Sequence, residues 1–232
     1  DETVRLIEQD GGQAMACPAD VTDRQAIAEI VETITDRFGA VDLLVNNAGI
    51  VSPLGPLWEN DPDEWWRSME INLRSVLLCN SAVLPGMVAR RRGRVINIAS
   101  GAGRAAVPYA TAYVTAKTAM IRLTENLAAE TKEHNIAIFA VDPGSVRTAM
   151  SEYLLESEPG QRWVPWFRAV FDEGRNVPAE RSAQLVLRLA KGDADALSGC
   201  FLGVRDDLDA LIAHSEEIAR TDGYTLRLQI PL

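Results

Sequence analysis

Apolar residues along this chain repeat with two different periods, and the two alternate. Residues 3–9 place Val4, Leu6 and Ile7 in a helical segment, and Asp10-Gly11-Gly12 stops it. Residues 14–21 read as a strand. Thr22 or Asp23 caps the next helix, which runs to about Phe38 with Ile27, Ile30, Val31 and Ile34 on one face. Residues 41–45 form a short apolar run, the pattern of a strand buried on both faces. After a loop holding Pro53, Gly55 and Pro56, Asp63 opens a long helix to about Arg90 that carries Met69, Leu73, Val76, Leu77 and Val83. A strand at 94–99, a helix at 112–134 and a strand at 136–141 come next. An irregular or short-helical stretch at 149–177 precedes a helix at 179–190, a strand at 200–204 and a helix at 208–220.

Strand and helix alternate almost throughout, with no internal repeat and no low-complexity linker. That order predicts one α/β domain over 1–232 with a doubly wound, Rossmann-like parallel sheet, right-handed crossovers and helices on both faces. Ligands of such sheets lie beyond the carboxyl ends of the strands. Four unusual segments fall there: Asp20-Val21-Thr22-Asp23, Asn46-Asn47-Ala48-Gly49, Ala99-Ser100-Gly101 and Asp142-Pro143-Gly144. They are far apart in sequence and are expected to line one edge of the sheet.

Composition narrows the partners. The chain has 232 residues and is 47% hydrophobic, which suits one domain with a sizeable core. Its net charge of −10 argues against nucleic acid or an anionic membrane surface. The one basic run, Arg90-Arg91-Arg92-Gly93-Arg94, reads as a solvated helix end whose cations suit the macrodipole. Cys17, Cys79 and Cys200 stand far apart with no C-x-x-C pair, so neither a zinc site nor a redox motif is expected. Buried, reduced thiols and a cytoplasmic location are the expectation. No apolar run approaches the ~18–20 residues that span a bilayer. His134 and His214 sit in polar helix-end contexts and read as structural.

Tyr113 and Lys117, at i and i+4, share one helix face. A phenol ordinarily ionises near pH ~10. A neighbouring ammonium favours the phenolate and lowers that value. The pair is a candidate general acid/base, although Y-x-x-x-K by itself is equally an ordinary surface pair. Other residues shift that balance. Ser100 lies thirteen residues before Tyr113 at a strand end, and Asn72 lies in the preceding helix. Asn46-Asn47-Ala48-Gly49 follows one strand, and Pro143-Gly144-Ser145-Val146-Arg147-Thr148 follows another.

These segments together resemble the single-domain branch of the short-chain dehydrogenase/reductase family. Its marks are N-N-A-G, a helical Asn, a strand-end Ser thirteen residues before the Tyr, Y-x-x-x-K and P-G-x-V-x-T. All five occur in family order, and the resemblance covers about residues 1–205. It implies hydride transfer between NAD or NADP and a small ketone or secondary alcohol. It assigns Tyr113 as the acid/base and Lys117 as the group that lowers the Tyr113 pKa and holds the nicotinamide ribose. Ser100 would hold the substrate oxygen, and Asn72 would help hold a water linking Lys117 to solvent. Asp20, with Val21 beside it, would contact the adenine ring; read alone, Asp20 is equally a helix N-cap. Asn46, Ala48 and Gly49 would lie under the adenosine ribose, and Asn46 also has the position to brace the sheet. Pro143, Gly144, Val146 and Thr148 would face the nicotinamide and its phosphate.

The family pattern is not complete in this sequence. Its opening strand, G-x-x-x-G-x-G phosphate loop, helix and second strand are absent, so the chain reads as N-terminally incomplete and as a poor dinucleotide binder by itself. The residue that would choose NAD over NADP goes with them, and that preference is unreadable. Many relatives carry Asp-Gly-Gly after the last strand. Here Val204-Arg205-Asp206-Asp207 stands in that place, at the head of a divergent tail at 206–232. Residues 149–177 sit where relatives keep a substrate lid. Their Tyr153, Leu154, Leu155, Trp163, Trp166, Phe167 and Phe171 suit either an apolar pocket or plain packing. Helices at about 63–90 and 112–133 resemble those that pair subunits, which implies a homodimer or homotetramer. Two other readings compete: an epimerase or dehydratase of the same family, and a non-catalytic dinucleotide-binding or scaffold protein. Intact Asn72, Ser100, Tyr113 and Lys117 argue against the second.

Overall fold

The strand Ile136–Asp142 shows how the core is organised, because every residue but its last is buried. Alternate side chains point to opposite faces of a strand. Accordingly Ile136 and Ile138 join one apolar cluster with Val83, Met87, Val95 and Ala128, while Ala137, Phe139 and Val141 join another with Leu185, Leu189, Leu202 and Leu208. A sheet with both faces buried needs continuous rather than alternating hydrophobicity, and this segment supplies it. The computed structural model describes residues 2–228. Residue 1 and residues 229–232, the outer ends of the expected 1–232 domain and 206–232 tail, lie outside the described residues.

Four strands are described: β1 (Leu43–Asn46), β2 (Gly93–Ile98), β3 (Ile136–Asp142) and β4 (Phe201–Gly203), in spatial order β1-β2-β3-β4 and all parallel. The register pairs Asn46 with Asn97, Ile98 with Val141 and Asp142 with Gly203, so the carboxyl ends lie together along one edge. In chain order the helices are α1 (Glu2–Gln9), α2 (Arg24–Phe38), α3 (Pro62–Met69), α4 (Ser75–Arg90), α5 (Thr111–Thr131), α6 (Ala149–Glu156), α7 (Glu158–Trp163), α8 (Phe167–Asp172), α9 (Ala179–Lys191), α10 (Leu208–Ala213) and α11 (Ser215–Thr221). Helices α4 and α5 cover one face and α9 to α11 the other. This is the expected doubly wound parallel sheet. None of its described strands precedes Leu43, and no glycine-rich phosphate loop stands among the described residues.

Several expectations are corrected. Residues 14–21 form no strand. A strand exists only where its backbone groups find a partner, and no neighbour pairs with this segment in the described sheet. For the same reason β1 is not buried on both faces: it is an edge strand, with Leu43 38% and Val45 39% exposed. Asp61, not Asp63, caps the long helix, its carboxylate accepting the Asp63 amide at 2.7 Å with Pro62 in the first turn. That helix is interrupted between α3 and α4 by a π turn, Glu70–Arg74, centred on Asn72. The whole span Pro62–Arg90 is, by length and composition, apolar enough to cross a membrane, contrary to the sequence reading. From Ser75 to Ala89 it carries no charge, and its polar side chains are Ser75, Asn80 and Ser81. It lies against the sheet, burying Val76, Val83 and Met87.

The single helix expected at 208–220 divides at His214, whose ring Nδ1 pairs with the Ala210 carbonyl at 2.8 Å. Cys200 is buried, whereas Cys17 and Cys79 are only partly so, and all three are free thiols. Within the basic run, Arg90 donates to the Val41 carbonyl and Arg94 forms a two-pronged pair with Asp195 at 2.6 and 2.9 Å. These contacts tie loops together at the amino-terminal edge of the sheet.

Candidate active site

The turn after β2 and the first turns of α5 are locked together by glycine. A Cβ on Gly103 would lie 3.0 Å from the Lys117 carbonyl carbon and 2.9 Å from Ile121 Cδ1. Fully buried Ala112 and Ala116 let α5 approach just as closely. This packing sets Ser100, at the end of β2, beside Tyr113. The Ser100 hydroxyl accepts the Ala102 amide at 3.2 Å and stands near enough to the Tyr113 phenol to influence its ionisation.

Lys117 is only 3% exposed. Its Nζ donates to the Ile98 carbonyl at 2.7 Å and lies 5.6 Å from the centre of the Tyr113 ring. Burial disfavours the ammonium and lowers its pKa to about 8. Burial also raises the Tyr113 pKa; the Ser100 hydroxyl opposes that rise and the Asp142 carboxylate adds to it. The sequence reading expected a lowered phenol. In this structure the direction is the opposite one, upward, through loss of water and the Asp142 carboxylate.

Asn72 is fully buried in the π turn. Its amide is committed: Oδ1 accepts the Ile50 amide at 3.1 Å, and Nδ2 donates to the Ile50 carbonyl at 2.8 Å and the Ser68 carbonyl at 2.9 Å. The side chain therefore clamps the loop after β1 instead of facing the cavity. Gly49 lies directly between this clamp and Lys117: a Cβ there would sit 2.8 Å from Asn72 Oδ1 and 3.7 Å from Lys117 Nζ.

A cavity of about 980 Å³ runs along the carboxyl ends of the strands. Of the expected site residues it brings together Ala48, Gly49, Ser100, Tyr113, Lys117, Pro143, Gly144, Val146 and Thr148. Four others lie off it. Asn46 donates to Asn97 Oδ1 at 2.8 Å, and Asn97 in turn donates to Thr124, so Asn46 braces the sheet. Asn72 sits behind Gly49. Asp20 and Val21 are in the irregular segment before α2. Asp20 does not cap that helix, because Asp23 does. The Asp20 carboxylate instead accepts the Thr22 amide and hydroxyl and pairs with Arg67 at 3.1 Å, and these bonds lower its pKa to about 2. Thr148 caps α6, its hydroxyl accepting the Ser151 amide at 3.4 Å.

Sequence reasoning missed part of the lining. Asn47 and Asp142 stand inside recognised segments but were assigned no role, and both line the cavity. Arg205 stood in the divergent segment after the last strand without a role, Arg175 was not singled out, and only the fold brings the two to the cavity. From residues 149–177, Leu154, Trp166, Phe167 and Val170 face the cavity, whereas Trp163 packs outside it on Tyr109 at 4.9 Å.

Comparison with known proteins agrees with this arrangement. The family model for short chain dehydrogenases matches residues 1–159. The chain is 31% identical over 216 residues to a short chain dehydrogenase of Monascus purpureus, covering 93% of this chain and 70% of that protein. It is 32% identical over 206 residues to a 3-oxoacyl-[acyl-carrier-protein] reductase of Thermotoga maritima, covering 88% and 80%. Among solved structures, a gluconate 5-dehydrogenase from Burkholderia cenocepacia, in complex with NADP and tartrate, superposes with a TM-score of 0.78 at 28% identity, covering 90% of this chain and 80% of that one. With the sheet, the helix order and the strand-end cavity described above, these matches show that the chain belongs to the short chain dehydrogenase family and has its Rossmann-like fold.

Proposed function

We propose that this protein is an NAD(P)-dependent oxidoreductase that interconverts a ketone and a secondary alcohol, with Tyr113 as the acid/base. The observation that carries the reading is the placement of Tyr113, Ser100 and Lys117 around one strand-end cavity. The relative crystallised with NADP supports a nicotinamide cofactor, without deciding between NAD and NADP. The pocket fits such a group beside Ala48 and Gly49, which line it with no long side chain. Ala48, Gly49, Tyr113, Lys117 and the 143–148 loop would hold the nicotinamide half.

A bound dinucleotide supplies or accepts the hydride. The chain's own residues then manage the substrate oxygen. Ser100 and Tyr113 donate hydrogen bonds to it where negative charge develops. In the reducing direction Tyr113 gives up its proton. Lys117, still mostly an ammonium at neutral pH with its pKa near 8, stabilises the phenolate left behind. Asn72 acts as a positioning residue, fixing Ile50 and with it the Gly49 wall. In the same proposal residues 149–177 form the substrate lid, and the tail from 206 covers the sheet edge beside β4. The protein works in the cytoplasm as a homodimer or homotetramer, with a small molecule and neither nucleic acid nor membrane as its partner.

The test is Tyr113→Phe in the full-length protein. It keeps the ring and removes the proton, and turnover should fall by ~10²–10⁴-fold while the melting curve is retained. A loss below tenfold would remove Tyr113 from the mechanism.

A further inference from the structure

The cavity is lined by Val51, Leu54, Val114, Leu154 and Val164, which belong to one apolar cluster, and also by Arg175 and Arg205. These come from different elements, the loop before α9 and the turn after β4, and they are tied to each other: Arg205 Nη2 donates to the Arg175 carbonyl. The Arg175 backbone is fixed in turn, its amide donating to the Val170 carbonyl at 2.8 Å.

Most arginines on this face are already engaged with acids. Arg147 pairs with Glu152 at 2.6 Å and lies over the Phe171 ring. Arg175 pairs with Glu173 at 2.7 Å, but both side chains are more than half exposed, and such a pair is weakly held. Among the described residues no carboxylate pairs with Arg205. A guanidinium has five N–H donors, and the bond to Arg175 leaves four in a planar fork that matches a carboxylate. The nearby acids are spoken for: Asp206 accepts the Gly203 amide at 2.6 Å, and Asp142 accepts the Gly144 amide at 3.1 Å.

We propose that the substrate carries a carboxylate, bound by Arg205 with Arg175, and that these two arginines determine specificity. The proposal rests on the oxidoreductase reading above and names its substrate class. The sheet also sets the separation. Ser100 follows β2 and Arg205 follows β4, two strands away, so the anchors stand roughly 10 Å apart at the backbone. With the reach of the arginine side chain, the carboxylate belongs several bonds from the reacting carbonyl, not beside it.

The experiment compares 5-oxohexanoate with its neutral methyl ester in the full-length protein at saturating NADH and, separately, at saturating NADPH, together with a readout that needs no turnover. In the wild type the acid should have at least a tenfold lower KM than the ester. Arg205→Gln should raise the KM for the acid by tenfold or more and leave the ester unchanged, and Arg205→Lys should fall between. Hexanoate, which has no carbonyl to reduce, should raise the melting temperature of the wild type and not that of Arg205→Gln. Equal KM values for acid and ester, an equal effect of Arg205→Gln on both, or equal protection of both proteins by hexanoate would overturn the proposal. Protection by inorganic phosphate but not by hexanoate would overturn it in favour of a phosphorylated substrate. If neither ketone is reduced, the oxidoreductase reading fails on that result, and hexanoate protection still decides the anion site.

Discussion

Lys117→Met should inactivate the protein and stabilise it. The lysine is almost fully buried, and its ammonium is held there against the preference of the surroundings: the pKa falls from an ordinary 10.5 to about 8 through desolvation. A gap of that size, at 1.36 kcal/mol for each unit, corresponds to a folding cost on the order of 3 kcal/mol at neutral pH. Replacement by methionine keeps an unbranched apolar stem of similar length and removes the charge. It also removes the 2.7 Å hydrogen bond to the Ile98 carbonyl, a loss of ~1 kcal/mol. The net expectation is a gain of about 2 kcal/mol, or roughly 4–8 °C in melting temperature for a chain of this size.

The sign has a pH signature. Between pH 8 and 10.5 the unfolded wild type keeps a proton that the folded form has released, so wild-type stability rises with pH across that window. The variant has nothing to titrate there, and its advantage should shrink towards pH 10.5. Activity moves the other way. An ammonium about 5.6 Å from the ring stabilises a phenolate by roughly 3 kcal/mol at an effective dielectric of about 20. Its loss should slow turnover by about a hundredfold. Thermal melts of both proteins from pH 6 to 10.5, with steady-state rates at saturating NADH and at saturating NADPH, test the pair of claims. A variant that melts at or below the wild type at pH 7, or an advantage independent of pH, would refute the reasoning.

Other expectations follow from the same structure. Leu77 on α4 is 49% exposed within a stretch of that helix that carries no charge, so we expect a dimer or tetramer of the full-length protein; light scattering that finds only monomer at micromolar concentration contradicts this. The described residues offer no glycine-rich turn to a pyrophosphate, and β1 leaves Leu43 and Val45 exposed at the sheet edge. The 232 residues by themselves should therefore be poorly soluble and bind NADH and NADPH weakly, and adding a strand–glycine loop–helix–strand segment should restore both properties; micromolar binding of either cofactor to a well-folded 232-residue monomer, by fluorescence titration, argues against this.

Much of the fold was legible because local pattern and burial agree. The run at 136–141 is apolar at every position, and both of its faces are covered. The helix expected at 112–134 is there as α5, which buries Ala112, Ala116, Met120 and Ala128. The expectation failed where a segment depends on a partner. Residues 14–21 have strand-like composition, but backbone groups pair only with a neighbour, and composition does not say whether one is present. The π turn at Glu70–Arg74 was invisible for a related reason: it widens the helix around Asn72, whose amide bonds Ile50 from a distant loop.

The candidate site divides along the same line. Spacing along one helix placed Tyr113 beside Lys117, and the register of a parallel sheet made the segments after β1, β2 and β3 neighbours; these are consequences of regular geometry that a sequence carries in its periods. The direction of the Tyr113 pKa, the commitment of Asn72 to Ile50 and the use of Asp20 to hold Thr22 and Arg67 were decided only by tertiary structure. So was the meeting of Arg175 and Arg205, thirty positions apart on two different loops. Each of these depends on burial or on a contact between elements remote in the chain, and both arise only when the helices close over the sheet and exclude water from the groups beneath them.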